Sequence, residues 1–251
     1  MNALFVLLII LALLMIAVAK KDGIRNLFGL LLNFGTIFVL ITLMSWGLPI
    51  WILLPLFSFI ILALSIYMSS EDGETTNIAF KTSVIVVFGL MIFAVLIQDI
   101  GQLQGFAAED VDELENLSLT VGMNFSTVAI AVMTISMLGA VAEAAMAIVA
   151  NLSEVIEQDE AMTVNQFKAQ RMIITQQILG TAINTLFFGV LGSSVGLILW
   201  FVRLHYSFAQ IFNSKLLMAD VSTMLLGMFG IFFSILLAGH FVEKNFTQAK
   251  K

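Results

Sequence analysis

The chain has 251 residues, 60% hydrophobic and 11% charged, with a net charge of −6, a mean hydropathy of +1.05 and no cysteine. Soluble domains carry about 25% charged residues, so this composition belongs to an integral membrane protein. The lack of cysteine excludes disulfides and thiolate metal sites, the two distant histidines exclude a histidine metal centre, and an acidic chain without a basic cluster argues against nucleic acid.

Hydropathy predicts an all-α polytopic bundle of seven transmembrane helices, one membrane domain over residues 1–251. The first span is 3–19. Its basic flank, Lys20-Lys21, follows the apolar run, whereas a cleaved leader carries its charge before it. A retained span with the N-terminus outside is therefore expected. Spans follow at 27–45 and 50–68, joined by Trp46-Gly-Leu-Pro49. Trp46 and Trp51 are expected as interfacial aromatics. Pro55 sits near the start of its span, where a missing donor does least harm. Ser69–Phe80 reads as a polar loop, and 82–98 as the fourth span.

Asp99–Leu119 is acidic (Asp99, Glu109, Asp110, Asp112, Glu113, Glu115) and has no basic residue. Calcium-loop glycine spacing is absent, so a solvated acidic surface is expected rather than a cation site. The fifth span, 123–147, continues as a helix through the acidic 151–160. Met172–Val202 carries no charge and, at ~1.5 Å per residue, exceeds what a ~30 Å core needs. Gly189 and Gly192 are expected to end the sixth span near 191, leaving 195–217 broken, with Trp200 and Tyr206 at headgroup level. The seventh span is 221–241. In this topology Lys20, Lys21, Arg25, Lys81, Lys168, Arg171, Lys244, Lys250 and Lys251 fall inside, and only Arg203 and Lys215 outside. That asymmetry predicts a cytosolic C-terminus.

From Asn116 to Ser153 the only charged residue is Glu143. A lone carboxylate at the bilayer centre costs ~2.5–3.5 kcal/mol on insertion scales, so it should face protein or water. Gly139 and Ala140 before it, and Gly180, Gly189 and Gly192 on the next span, are expected to let helices approach closely. On that next span Gln177, Thr181 and Asn184 share one face, with Gln176, Thr175 and Thr185 nearby. Amides facing lipid would be unsatisfied, so this face is expected to point inward, opposite Glu143. Two readings stay open: a proton- or ion-coupled site built from Glu143, Gln176, Gln177, Thr181 and Asn184, or polar residues that hold helices together by hydrogen bonds. Asp220 is expected to cap the last helix and His240 to sit at the inner interface. No nucleophile elbow, phosphate loop or zinc motif is present, so neither an enzyme nor a cofactor is expected.

Residues 138–148, Leu-Gly-Ala-Val-Ala-Glu-Ala-Ala-Met-Ala-Ile, resemble the Gly-Ala-Val-Met-Asp run of the YibE/F family of bacterial membrane proteins. Residues 178–186, Ile-Leu-Gly-Thr-Ala-Ile-Asn-Thr-Leu, leading to Gly192-Ser-Ser, are similar to its Gly-Thr-Met-Ala-Asn-Thr-Leu and Gly-Gly-Ser segments. The family's usual Asp is Glu143 here, and its usual Arg-Asp pair is Gln176-Gln177. The chain resembles the shorter, YibF-like form, which lacks an N-terminal extracellular domain. The resemblance implies a transport or export component of the bacterial cytoplasmic membrane that works with a larger YibE-like membrane protein. The alternative is a non-transporting scaffold that stabilises or positions that relative.

Overall fold

The computed structural model describes residues 3–70, 72–103, 125–159 and 161–250. Among them the chain is helical throughout, with no strand. The helices are α1 (Ala3–Ser45), α2 (Ile50–Tyr67), α3 (Gly73–Gly101), α4 (Phe125–Gln158), α5 (Val164–Ser193), α6 (Val195–Arg203), α7 (Phe208–Asn213) and α8 (Lys215–Ala249). Six of them, all but α6 and α7, are long and apolar enough to cross a membrane, which makes this a multi-pass membrane protein.

α1 covers both of the first two expected spans. Its backbone leaves helical geometry at Lys20 (φ 48°, ψ −117°). In a continuous helix Gly23 and Met15 would lie ~12 Å apart along the axis. Here a Cβ on Gly23 would collide with the Met15 carbonyl and lie 3.2 Å from the Ile16 Cα. The chain therefore turns back at Lys20, and only glycine fits at 23. The expected turn after α1 is also present. Gly47 adopts φ +79°, its N–H donates to the Met44 carbonyl (3.0 Å), and the Leu48 N–H donates to the Leu43 carbonyl (3.3 Å).

The expected polar loop 69–80 is shorter than its composition suggests. Asp72 accepts from the N–H groups of Glu74 and Thr75 and starts α3 at Gly73. α4 runs on to Gln158, as the extension past 147 anticipated. α5 begins at Val164, well before 172, on a capping box between Thr163 and Gln166. It ends at Ser193 beside the short α6 and α7, where the broken segment was expected. Asp220 does not cap the last helix. α8 starts at Lys215 after Ser214, and Asp220 accepts from the Ser194 hydroxyl at 2.8 Å. The acidic stretch expected over 99–119 falls, from residue 104 on, outside the described residues.

α4 is the central element. It packs against α2, α3, α5 and α8, while α1 leans on α2. Its buried positions include Met137, Leu138, Val141, Ala144, Ala145 and Ile148, spaced to fill more than one face. They meet Leu62 and Ile66 of α2, Val87 and Leu90 of α3, and Ile231, Ile235 and Ala238 of α8 in one apolar core. α8 reaches α4 through missing side chains. A Cβ on Gly230 would lie 2.6 Å from Val141 Cγ2 and 3.3 Å from Leu90 Cδ1; one on Gly227 would lie 2.9 Å from Leu186 Cδ2. At one end of the bundle Phe167 of α5 stacks on Phe246 of α8 with centroids 4.7 Å apart. One turn above, Arg171 pairs with Glu243, which Lys168 also approaches at 3.6 Å. Gly239 admits that guanidinium, since a Cβ there would lie 3.1 Å from Arg171 Nε.

Candidate functional site

Around α4 the neighbours follow in the order α2, α3, α8, α5, each packed on the next, but α2 and α5 do not pack against each other. Among the described residues the ring is open between them. The face of α4 at this opening carries Ser136, Gly139, Glu143, Ala147 and Ala150, at steps of three or four residues. Ser136, Gly139, Glu143 and Ala150 are exposed and Ala147 is half-buried, whereas Val141, Ala142, Ala144 and Ala145 beside them are buried. The sequence folds this way because the bulky and medium apolar side chains of α4 take the inner faces. The outer stripe from 136 to 150 keeps only small residues and the single charge, while Ala142, Ala144 and Ala145 lie inside with the larger ones.

Glu143 sits in an open groove of about 550 Å³ between α4 and α2. Gly139, Met146, Ala147 and Ala150 form one wall, and Ser65, Ile66 and Ser69 the other. The α2 wall is tied to α1: Asn33 Nδ2 donates to the Ser65 hydroxyl at 2.9 Å, and Arg25 Nε donates to the Met68 carbonyl at 2.9 Å. The Ser69 hydroxyl donates to the Ile66 carbonyl at 2.8 Å. Glu143 itself has no hydrogen bond or ion pair among the described residues. The groove offers a carboxylate facing two hydroxyls, enough to accept a donor or hold a cation, and no nucleophile–base pair.

The expected partners of Glu143 lie elsewhere. α5 buries only Phe167 and Ile174. Gln176, Gln177, Thr181, Asn184 and Thr185 are all exposed. Thr181 and Thr185 turn their hydroxyls onto their own helix, bonding the Gln177 carbonyl at 3.0 Å and the Thr181 carbonyl at 2.9 Å. The inward amide face expected from the sequence thus points away from the core. The reason is steric: Phe167, Ile174, Ile178, Ile183 and Leu186 are among the α5 side chains packed into the core, and the amides lie off that line. Of the glycines expected to admit a neighbour, Gly139, Gly180, Gly189 and Gly192 have nothing within 4 Å of a built Cβ. Only Ala140 of that set touches the core. The close contacts between helices belong instead to Gly29 of α1, beside Met68, and to Gly227, Gly230 and Gly239 of α8. The sequence does carry a signal for them, the steps Gly227, Gly230, Ser234, Ala238 in an apolar run.

Among the described residues there is no cluster of His, Asp or Glu able to hold a metal ion. No curated protein and no solved structure matches the chain. A family model described as YibE/F-like protein matches residues 7–248, far beyond the 138–196 region that holds the distinctive runs. With nearly its whole length matched, the chain belongs to the YibE/F family.

Proposed function

We propose that the chain is the membrane component of a transport or export assembly, and that a transmembrane helix of a larger YibE-like relative closes the opening between α2 and α5. The observation that carries this reading is the uncovered stripe of α4. Gly139, Glu143, Ala147 and Ala150 give a helix-wide strip of small residues around one carboxylate, on a helix long enough to span the bilayer. Small residues let a second helix come close. A carboxylate at membrane depth requires a polar or basic partner, which the described residues do not supply. The amides of α5 ask for the same cover, because hydrocarbon satisfies none of their donors. A relative that keeps basic residues where this chain has Gln176-Gln177 would complete the site, and Glu143 would then couple a proton or cation to movement.

The same reading takes the two arms of α1 as separate spans, seven in all, with the N-terminus outside and the C-terminus in the cytosol of a bacterial cell. The reversal at Lys20 supports it. So does the charge distribution. The Arg25–Met68 bond, the Thr75–Ser153 contact (3.4 Å) and the Phe167–Phe246 stack tie together the ends that bear nearly all of the lysines and arginines.

A scaffold without transport is favoured by one observation: Glu143 and the α5 amides point outward, as residues that hold a neighbour would. The two readings separate experimentally. The chain has no cysteine, so Ala147→Cys is a unique cross-linking site. In cells carrying the relative, cross-linking from 147 should give a hetero-oligomer identified by mass spectrometry, and Gly139→Leu should abolish it. A homo-oligomer or an uncross-linked chain would reject the partnership. With partnership established, loss of transport in Glu143→Gln supports coupling, and unchanged transport leaves the scaffold.

A further inference from the structure

Across α4 from the Glu143 opening, a second groove runs along the outer junction of α3 and α8. Its apolar part, about 410 Å³, is lined by Ile85, Gly89 and Phe93 of α3 and Phe233, Leu236 and His240 of α8. It continues past Ile85 into a space of about 530 Å³ that carries Lys81, Lys244, Asn245 and Gln248. The helices are antiparallel here, so both strips run from charged to apolar in the same direction. Lys81 and Lys244 are exposed and have no ion-pair partner among the described residues. The carboxylates of Asp72, Glu74 and Glu157 line a separate cleft further toward the helix ends, which meets this one only at Ile78 and Asn245. A Cβ on Gly89 would meet nothing within 4 Å, so the chain does not fill the groove floor itself.

We propose that this groove binds one anionic phospholipid. The phosphate lies between Lys81 and Lys244, with Asn245 and Gln248 on its polar side, and an acyl chain lies over Gly89 between the two rows of apolar side chains. Length selects this occupant. From Lys81 to Phe93 α3 rises ~18 Å, close to the ~15 Å of a single leaflet and about half of what a spanning helix would need. Charge selects the headgroup: paired lysines between helices at the membrane surface favour a lipid of net negative charge over a zwitterionic one, whose choline offsets its phosphate.

The test uses the purified full chain in phosphatidylcholine nanodiscs, titrated with phosphatidylglycerol and read by native mass spectrometry. The wild type should retain phosphatidylglycerol in preference to phosphatidylcholine. K81Q/K244Q should weaken it about fivefold per lysine, on the order of 25-fold for the pair, while K81R/K244R keeps it. G89W should block the lipid with both lysines intact, and soluble glycerol 3-phosphate should not compete. Equal retention of the two lipids by the wild type, or undiminished retention by K81Q/K244Q, overturns the proposal. Displacement by glycerol 3-phosphate, or normal binding in G89W, overturns the acyl groove. Cross-linking of Gly89→Cys to a second polypeptide in place of lipid would assign the groove to a helix instead.

Discussion

Asp72 acts through very short distances. Its oxygens accept from the Glu74 N–H at 3.2 Å and the Thr75 N–H at 3.3 Å and so begin α3. The Thr75 hydroxyl holds the carboxyl below the usual range against slight desolvation, and the two N–H groups add to the effect. A carboxyl lowered in the folded state stabilises it fully above the unfolded value of about 3.9, and that stability is lost as pH falls through the folded value. Asp72→Ala should therefore cost about 1 kcal/mol at pH 7, seen as a lower melting temperature, and the difference from wild type should shrink below about pH 4. A difference independent of pH would remove the cap from the account. Glu143 makes the opposite case. Its position could be read from the sequence because it is the one charge in a long apolar run. Its surroundings could not, because helical periodicity says which residues share a face and not which way that face turns. Glu143→Gln should leave the unfolding free energy within about 0.5 kcal/mol of wild type, since no bond among the described residues is lost. Glu143→Lys should abolish the hetero-oligomer at unchanged helicity, checked by circular dichroism and copurification.

Between elements, two kinds of glycine behave differently. Gly230 of α8 touches Val141 and Leu90 through the core, so Gly230→Leu should overpack it and destabilise the isolated protein by about 1–3 kcal/mol or more. Gly139 faces the opening, so Gly139→Leu should leave the isolated protein's melting unchanged and be felt only by a partner helix. Equal loss in both, measured by thermal unfolding in detergent, would contradict the arrangement around α4. The glycines that stand out in the sequence are ones the described residues leave uncovered, for a physical reason. A small residue is compatible both with a close neighbour and with an empty place for one. Which of the two applies depends on the long-range partner, here α4 and α3 for Gly230 and none among the described residues for Gly139. The ion pair of Arg171 with Glu243 escaped notice in the same way. Both residues lie just outside the expected spans, where charge is unremarkable until two helix ends meet.

At the scale of the whole molecule, the helical class and the membrane setting were legible, because both follow from where apolar residues run and where charge interrupts them. Helix ends were less so: Asp72 and the Thr163 box start helices inside stretches whose composition reads as loop. Orientation can be tested with cysteines at Asp22, Glu74, Gln102 and Phe208, which are all exposed. The neighbouring Gly23 is unsuitable, since any side chain there would strike the Met15 carbonyl. A membrane-impermeant maleimide should label only positions 102 and 208 in intact cells. Labelling at 22 or 74 would reverse the topology.

The reliance of α4 on α8 also sets an order in time. Translation proceeds at ~5–20 residues per second, so several seconds separate the emergence of Gln158 from that of Gly230. Throughout that interval the inner face of α4, with Val141, Ala145 and Ile148, lacks the surface that later covers it. The nascent chain must wait in the membrane with its central helix half-dressed. Such a waiting state is where a membrane chaperone, or the α8-like helix of another copy, would compete for the same strip. Slowing synthesis between 160 and 215 should therefore lower the yield of folded protein more than slowing it before 125.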